Sequence, residues 1–97
     1  MAIAAIVTFT FRPEVRDEIP ALLDDVLATT RRFAGLERLD ILVNDDRPDV
    51  WTLYEVWTDH ESEAAYRAFR ATPEGAEPRL WEFSAAPPSV ENFVIRG

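Results

Sequence analysis

One short segment combines a carboxylate with two tryptophans and is the part of the chain best suited to chemistry. It reads Trp51-Thr52-Leu53-Tyr54-Glu55-Val56-Trp57. Side chains alternate along a β-strand, so Glu55 shares one face with both tryptophans. Burial between apolar groups raises the pKa of a carboxylate and suits it to proton transfer. We therefore predict Glu55 as a general acid–base residue, with an ion pair to an arginine such as Arg38 or Arg67 as the alternative.

Aromatic side chains around this strand could enclose a flat, apolar ligand. Tyr66 and Phe69 follow the strand in a helical segment, and Trp81 lies in a second, short one. We predict Trp57, Phe69 and Trp81 as walls of a substrate pocket, and Tyr66 as the donor of a phenolic proton to a substrate oxygen. Asn44, in the turn before the strand, is a further candidate for substrate binding. Core packing is the alternative for the aromatic residues, and turn propensity is the alternative for Asn44.

Other reactive residue types are scarce, which excludes several kinds of chemistry. The 97 residues include no cysteine and no lysine, so neither a thiol nucleophile nor a lysine Schiff base is available. With His60 as the single histidine, a zinc site of cysteine and histidine ligands cannot be assembled. We expect His60 to be a surface group at the start of a helix, with a role as catalytic base as the alternative. Neither a metal nor a cofactor is predicted.

The charge and hydropathy of the chain limit its partners. It carries 18 acidic and 10 basic residues, for a formal net charge of −8. Binding to nucleic acid or to anionic membranes depends on clustered basic residues, so neither is predicted as a partner. No apolar run approaches the about 20 residues of a membrane span. The segment Met1–Val7 lacks the basic region of a signal peptide, and we therefore expect a cytoplasmic protein.

The spacing of apolar residues predicts four strands, two longer helices and a short helical piece. Alternating apolar residues predict strands at Ile3–Phe11, Leu36–Val43, Trp51–Trp57 and Val90–Ile95. Apolar residues at intervals of three and four predict helices at Val15–Phe33 and His60–Thr72, and a short helix is expected at Pro78–Ala85. Thr58 and Glu61 have the spacing of a capping box at the start of the second helix.

The order of these elements predicts a single α+β domain over residues 1–97 with the ferredoxin-like βαββαβ fold. In that fold both helices cover one face of a four-stranded antiparallel sheet. We expect the other face to be lined by a set of apolar residues, namely Val7, Phe9, Phe11, Leu39 and Ile41. A patch of that size is too large for a monomer, so we predict a homodimer in which two sheets pack face to face.

Five segments give the chain a resemblance to a known family. They are Phe11-Arg12-Pro13-Glu14, Thr29 to Leu36, Asp45 to Asp49, Leu53-Tyr54-Glu55-Val56-Trp57-Thr58-Asp59 and Ala71-Thr72-Pro73. In these segments the chain resembles the antibiotic biosynthesis monooxygenase (ABM) family. The resemblance implies a dimeric α/β barrel in which each subunit holds a pocket between its helices and sheet. Family members include cofactor-free oxygenases of aromatic polyketides and quinols, haem-degrading enzymes, a sugar-signal isomerase and proteins with no known activity.

The resemblance implies a cofactor-independent oxygenase that acts on a small aromatic molecule, such as a hydroquinone or a polyketide anthrone. Glu55 and Tyr66 are then the catalytic candidates. Where the family often has a histidine on the second helix, this chain has Phe69 or Tyr66, depending on the direction of counting. This replacement favours the alternative, a non-catalytic dimer that binds a small apolar molecule or has a structural role. A third possibility is an isomerase or cyclase that uses Glu55 without oxygen.

Overall fold

The computed structural model describes all residues from 1 to 97. The strands are β1 (Ile3–Thr10), β2 (Leu36–Val43), β3 (Val50–Trp57) and β4 (Ser89–Val94). The α-helices are α1 (Ile19–Arg31), α2 (His60–Arg70) and α3 (Pro78–Glu82), and a 3₁₀ helix at Pro13–Glu18 precedes α1. The longest helix, α1, has 13 residues, and no helix has the length and apolar character needed to cross a bilayer.

The predicted elements are confirmed, but α1 begins four residues later than predicted and each α-helix ends two or three residues earlier. The first predicted helix divides into the 3₁₀ helix and α1. Pro20 lies in the first turn of α1, where the N–H that it lacks would have no helical partner. The predicted capping box at the start of α2 is wrong. The cap is Asp59, whose Oδ1 accepts from Ser62 N at 2.8 Å, while Thr58 donates its hydroxyl to the carbonyl of Gly35 at 3.1 Å.

The four strands form one antiparallel sheet in the order β2-β3-β1-β4. β1 is central and pairs with β3 from Ile3 opposite Trp57 to Thr10 opposite Val50. β4 pairs with the other side of β1 and forms one edge of the sheet. β2 and β3 form a hairpin. The helices all pack on the same face, so the ferredoxin-like α+β fold predicted from the order of elements is confirmed.

The main core lies between the sheet and α1, and it corrects the predicted assignment of the sheet faces. The residues predicted for the free face lie beneath the helices instead, in or against this core: Val7, Phe9, Phe11, Leu39 and Ile41. The register explains the difference, because Val7 pairs with Leu53 and Phe9 with Trp51. Directly paired residues point to the same face. Alternation separates the two faces of one strand, but only the pairing shows which faces align between strands.

The free face of the sheet carries the other set of side chains. Its apolar members come from all four strands and are Ala4, Ile6, Tyr54, Val56, Leu42 and Phe93. Leu42 is 51% exposed and Phe93 is 50% exposed. All three α-helices lie on the opposite side, so no element of the chain covers this face.

Candidate ligand-binding site

A cavity of about 200 Å³ lies between the sheet and the three α-helices. Apolar side chains form most of its lining, namely Val7, Phe9, Leu23, Val26, Leu27, Leu53, Leu80, Trp81, Pro88 and Val90. Its polar and charged lining residues are Glu55, Tyr66, Arg67, Arg70 and Glu77. Trp81 is 63% exposed and Val90 is 49% exposed, so the mouth of the cavity lies between α3 and β4. A roughly 150 Å³ apolar cavity can bind benzene, and this one is therefore large enough for a small aromatic ligand.

Glu55 is held at the wall of the cavity by two hydrogen bonds. Its Oε1 accepts from Arg67 Nη2 at 2.7 Å and from Trp57 Nε1 at 3.1 Å. Because both bonds go to Oε1, Oε2 is left without a hydrogen-bond partner in the chain. The side chain is only 1% exposed. Burial raises the pKa of Glu55, and the Arg67 charge opposes that rise. The direction agrees with the sequence prediction, and the ion pair that was its alternative is also present.

A second buried carboxylate shares the same guanidinium group. Glu63 Oε2 accepts from Arg67 Nε at 2.8 Å, and Glu63 Oε1 accepts from Asn92 Nδ2 at 3.1 Å. The Glu63 side chain is 3% exposed. Its negative charge also raises the pKa of Glu55, although less than burial does. One guanidinium group therefore serves two buried carboxylates.

Tyr66 is positioned by Thr30 and Arg70. Its phenolic oxygen accepts from Arg70 Nε at 2.8 Å and lies 2.6 Å from Thr30 Oγ1. Thr30 is fully buried, and its oxygen already accepts from Arg70 Nη2 at 2.9 Å. A buried hydroxyl hydrogen without an acceptor costs about 1–3 kcal/mol, and Tyr66 is the acceptor that Thr30 has. Either hydroxyl can donate in this pair. When Thr30 donates, the phenolic hydrogen of Tyr66 is available to the cavity that Tyr66 lines.

Trp57 and Phe69 lie beside the cavity and do not line it, which corrects their predicted role as its walls. Trp57 is fully buried and stacks on Tyr66 with 5.0 Å between ring centroids. Phe69 packs on Phe33 at 5.5 Å, and Phe33 meets the rings of Trp57 and Tyr66 at steep angles. These rings form a separate aromatic cluster next to the cavity. The contribution of Trp57 to the site is the indole N–H that it donates to Glu55.

The remaining predicted residues divide between the cavity and the surface. Trp81 lines the cavity at its mouth, as noted above. Asn44 does not line the cavity. Its Oδ1 accepts from two backbone N–H groups of the β2–β3 turn at 3.0 and 2.9 Å and so stabilises the turn. His60 is the exposed first residue of α2 and does not line the cavity. The structure thus brings Glu55, Tyr66 and Trp81 together at one cavity.

Sequence reasoning missed the contributions of Glu63, Arg70 and Thr30. On α2, Glu63, Tyr66, Arg67 and Arg70 recur at intervals of three and four and therefore share one face of the helix. That polar stripe was a signal that could have identified Glu63 and Arg70. Thr30 comes from α1, and its partnership with Tyr66 has no signature in the local sequence.

The arrangement can accept a proton from a ligand and stabilise the negative charge that remains. Glu55 is a carboxylate with a raised pKa, and Tyr66 offers an O–H to a developing oxyanion. The apolar surroundings strengthen these interactions by lowering the local dielectric constant. The chain contains no cluster of three or more histidine, cysteine, aspartate or glutamate side chains placed to hold a metal ion.

Solved structures share this fold over almost their whole lengths. Rv0793 from Mycobacterium tuberculosis superposes with a TM-score of 0.82 at 23% identity, covering 100% of this chain and 97% of that one. SnoaB, a cofactor-independent oxygenase from Streptomyces nogalater, gives a TM-score of 0.81 at 21% identity, with coverage of 99% and 94%. A conserved protein from Methanosarcina mazei Go1 gives 0.82 at 19% identity, with coverage of 96% and 91%. At these identities the similarity establishes the fold alone.

The sequence of the chain identifies its family, which the similarity of folds does not. No curated protein matches the chain. The sequence model of one family, described as antibiotic biosynthesis monooxygenase (ABM), matches residues 2–77. The match includes β1 to β3, α1 and α2, and with them Glu55, Tyr66, Arg67 and Arg70. The protein therefore belongs to the antibiotic biosynthesis monooxygenase family.

Proposed function

We propose that the protein is a cofactor-independent oxygenase of a small aromatic substrate such as a hydroquinone. The observation that carries this proposal is a mostly apolar cavity with Glu55 and Tyr66 on its wall. Glu55 is nearly inaccessible to solvent, so a proton acceptor lies inside a site that excludes most water. SnoaB, which has the same fold, is a cofactor-independent oxygenase and supports the reaction class.

The volume of the cavity favours a substrate of one or two rings. Its size is about 200 Å³, below the roughly 300 Å³ at which pockets for larger ligands begin. Within the range suggested by the family resemblance, a hydroquinone fits this volume better than an extended polyketide. The aliphatic side chains of β1 and α1 would contact the faces of the ring, and Trp81 would cover its outer edge.

In the proposed reaction, Oε2 of Glu55 accepts a proton from a substrate hydroxyl group. The Tyr66 O–H donates to the oxyanion that results and stabilises it. Deprotonation makes the ring electron-rich enough to pass an electron to oxygen. Overall, one hydroquinone and one O₂ give one hydroxyquinone and one water. One oxygen atom enters the ring, the other leaves as water, and the substrate supplies all the electrons.

Oxygen uptake with Glu55→Gln tests the catalytic role. A panel of hydroquinones is added to the protein in an oxygen electrode, and the protein-free rate of autoxidation is subtracted. Loss of a general base lowers the rate by about 10²–10⁴-fold, so we expect kcat/KM of Glu55→Gln to fall by this factor. Glu74→Gln is the matched control, because Glu74 is exposed and its side chain makes no hydrogen bond. Uptake that never exceeds the protein-free rate contradicts the proposed function.

A second candidate function is the binding of a small aromatic molecule without turnover. The observation that favours it is the ion pair of Glu55 with Arg67, which satisfies a buried carboxylate without any catalytic role. Under this function a hydroquinone quenches the fluorescence of Trp81, at the mouth of the cavity, while oxygen uptake stays at the protein-free rate. Quenching together with uptake that depends on Glu55 supports the oxygenase.

We also propose that the protein is a homodimer assembled through the free face of the sheet. That face carries apolar side chains from four strands and is not covered by the chain itself. Apolar surfaces of this kind on soluble proteins mark interfaces. A second copy presents the same surface, so two sheets can pack face to face about a twofold axis.

Ile6→Asp tests the homodimer, because Ile6 lies on the central strand between Tyr54 and Glu91. A buried, unpaired charge costs several kcal/mol, so we expect this variant to sediment as a folded monomer. Ala28→Asp adds the same charge on an exposed position of α1 and serves as the control. A wild-type protein that sediments as a monomer at micromolar concentration refutes the homodimer.

A further inference from the structure

Three of the four charged side chains that line the cavity have a partner of opposite charge, and Arg70 has none. Glu55 pairs with Arg67 at 2.7 Å. Glu77 pairs with Arg79, which lies outside the lining, at 3.1 Å. No carboxylate lies within ion-pair distance of Arg70. The cavity wall therefore carries one guanidinium group whose charge is not directly balanced.

Arg70 is held in place by neutral oxygen atoms only. Its Nε and Nη2 donate to Tyr66 and Thr30, as described above, and Nη2 also donates to the carbonyl of Val26 at 3.0 Å. Its Nη1 donates to the carbonyl of Gly75 at 3.1 Å. These bonds use four of the five N–H groups of the guanidinium. The side chain is thus fixed before any ligand binds, and one N–H remains free.

The net charge of the ionisable side chains around Tyr66 suits one anionic ligand. Glu55 and Glu63 carry two negative charges, and Arg67 and Arg70 carry two positive charges, so the group is neutral when both carboxylates are ionised. The two guanidinium groups lie 5.0 and 5.2 Å from the centroid of the Tyr66 ring. When a ligand hydroxyl gives its proton to Glu55, as in the proposed reaction, the group has one net positive charge, which balances the charge of the ligand anion.

We propose that Arg70 and the phenolic O–H of Tyr66 recognise an acidic oxygen of the ligand, so that the cavity selects aromatic molecules with an ionisable hydroxyl or carboxyl group over neutral ones. The Tyr66 O–H is free for this purpose in the arrangement in which Thr30 donates to the Tyr66 oxygen, and the unused N–H of Arg70 is free in either arrangement. Hydrogen bonds from a charged donor to an anion are about twice as strong as neutral ones. This inference rests on the proposed function, since it concerns the same cavity, but it makes a separate claim about binding.

A pair of probes with the same ring system and shape, one anionic and one neutral, tests this claim without turnover. 2-Naphthoate and 2-naphthamide have the same rings and differ in one ionised group. Their dissociation constants are measured by calorimetry at neutral pH. We expect the wild-type protein to bind 2-naphthoate about tenfold more tightly than 2-naphthamide, which corresponds to about 1.4 kcal/mol. Equal affinity for the two probes, or no binding of either, overturns the proposal.

Variants then assign the preference to its residues. Arg70→Gln and Tyr66→Phe are each expected to remove most of the preference for 2-naphthoate over 2-naphthamide. Arg32→Gln is the control, since Arg32 is exposed and makes no side-chain contact with the cavity. If Arg70→Gln does not fold, Tyr66→Phe and the wild-type ratio of affinities still decide the matter. A preference that survives Tyr66→Phe unchanged contradicts the proposed joint recognition by Tyr66 and Arg70.

The outcomes separate this inference from the proposed function. A preference for 2-naphthoate without oxygen uptake supports anion recognition and refutes the oxygenase. Oxygen uptake without any preference between the probes supports the oxygenase and refutes anion recognition by Arg70 and Tyr66.

Discussion

The shared guanidinium group of Arg67 makes the strongest prediction about stability. Arg67→Gln leaves two carboxylates without their positive partner, in side chains that are 1% and 3% exposed. Breaking a buried pair by removing one partner costs about 3–5 kcal/mol. The Arg67 side chain is itself 30% exposed, and Trp57 and Asn92 still donate to the two carboxylates. We therefore expect the lower end of that range, about 3 kcal/mol, which lowers Tm by roughly 12–24 °C for a domain of this size.

Urea unfolding at pH 5 and pH 8, at one fixed protein concentration, measures this loss. Burial raises the pKa of Glu55, and Arg67→Gln removes the charge that opposes this rise, so the cost is smaller at pH 5 and larger at pH 8. Arg16→Gln breaks the exposed pair with Asp49 and is expected to have a much smaller effect. Loss of less than about 1 kcal/mol at both pH values would refute the reasoning, because the carboxylates would then be solvated rather than buried.

Three further predictions concern other positions in the fold. Glu55→Gln is expected to weaken the pH dependence of stability. Burial raises the pKa of Glu55, so its contribution to the free energy of unfolding is fully present below the ordinary pKa of 4.5 and is lost as the pH rises through the raised pKa. Urea unfolding at several pH values measures this change. Gly35→Ala is expected to lower the free energy of unfolding in urea by about 3 kcal/mol, because Gly35 has a φ of +91° and an added Cβ would collide with Ser62. Gly97→Ala is the control and is expected to leave stability unchanged, because Gly97 has open space around it. Phe9→Asp is expected to unfold the chain, measured by circular dichroism, because Phe9 is 5% exposed in the core; a folded monomer would restore the face assignment made from the sequence.

The secondary structure was largely predictable because it depends on local patterns. Alternation of apolar residues located β1 to β4, and helical spacing located α1 and α2. The error in the capping residue of α2 is also local, since Asp59 and Thr58 are neighbours that can both cap a helix. The choice between them depends on the carbonyl of Gly35, which lies 23 residues before Thr58 and occupies the threonine hydroxyl.

The candidate site was predictable only where one element carried the information. Glu55 was identified because its neighbours on one strand determine its environment. Trp57 and Phe69 were placed in the wrong surroundings, because the rotation of α2 about its axis decides which aromatic residues face the cavity. Phe69 packs instead on Phe33, in the connection between α1 and β2, which has no signature near Phe69 in the sequence.

The sequence by itself determined the order of elements, the chemistry that missing lysine and cysteine exclude, and the position of one carboxylate on an apolar strand face. Each of these properties follows from composition or from residues a few positions apart. The tertiary structure decided which strand faces align, since the register depends on hydrogen bonds between β1 and β3, about fifty residues apart in the chain. It also decided that Arg67 serves two carboxylates while Arg70 serves none, because Arg70 reaches Val26 and Thr30, 44 and 40 residues away. Charge balance in the site is a matter of distances in space, which spacing along the chain does not encode.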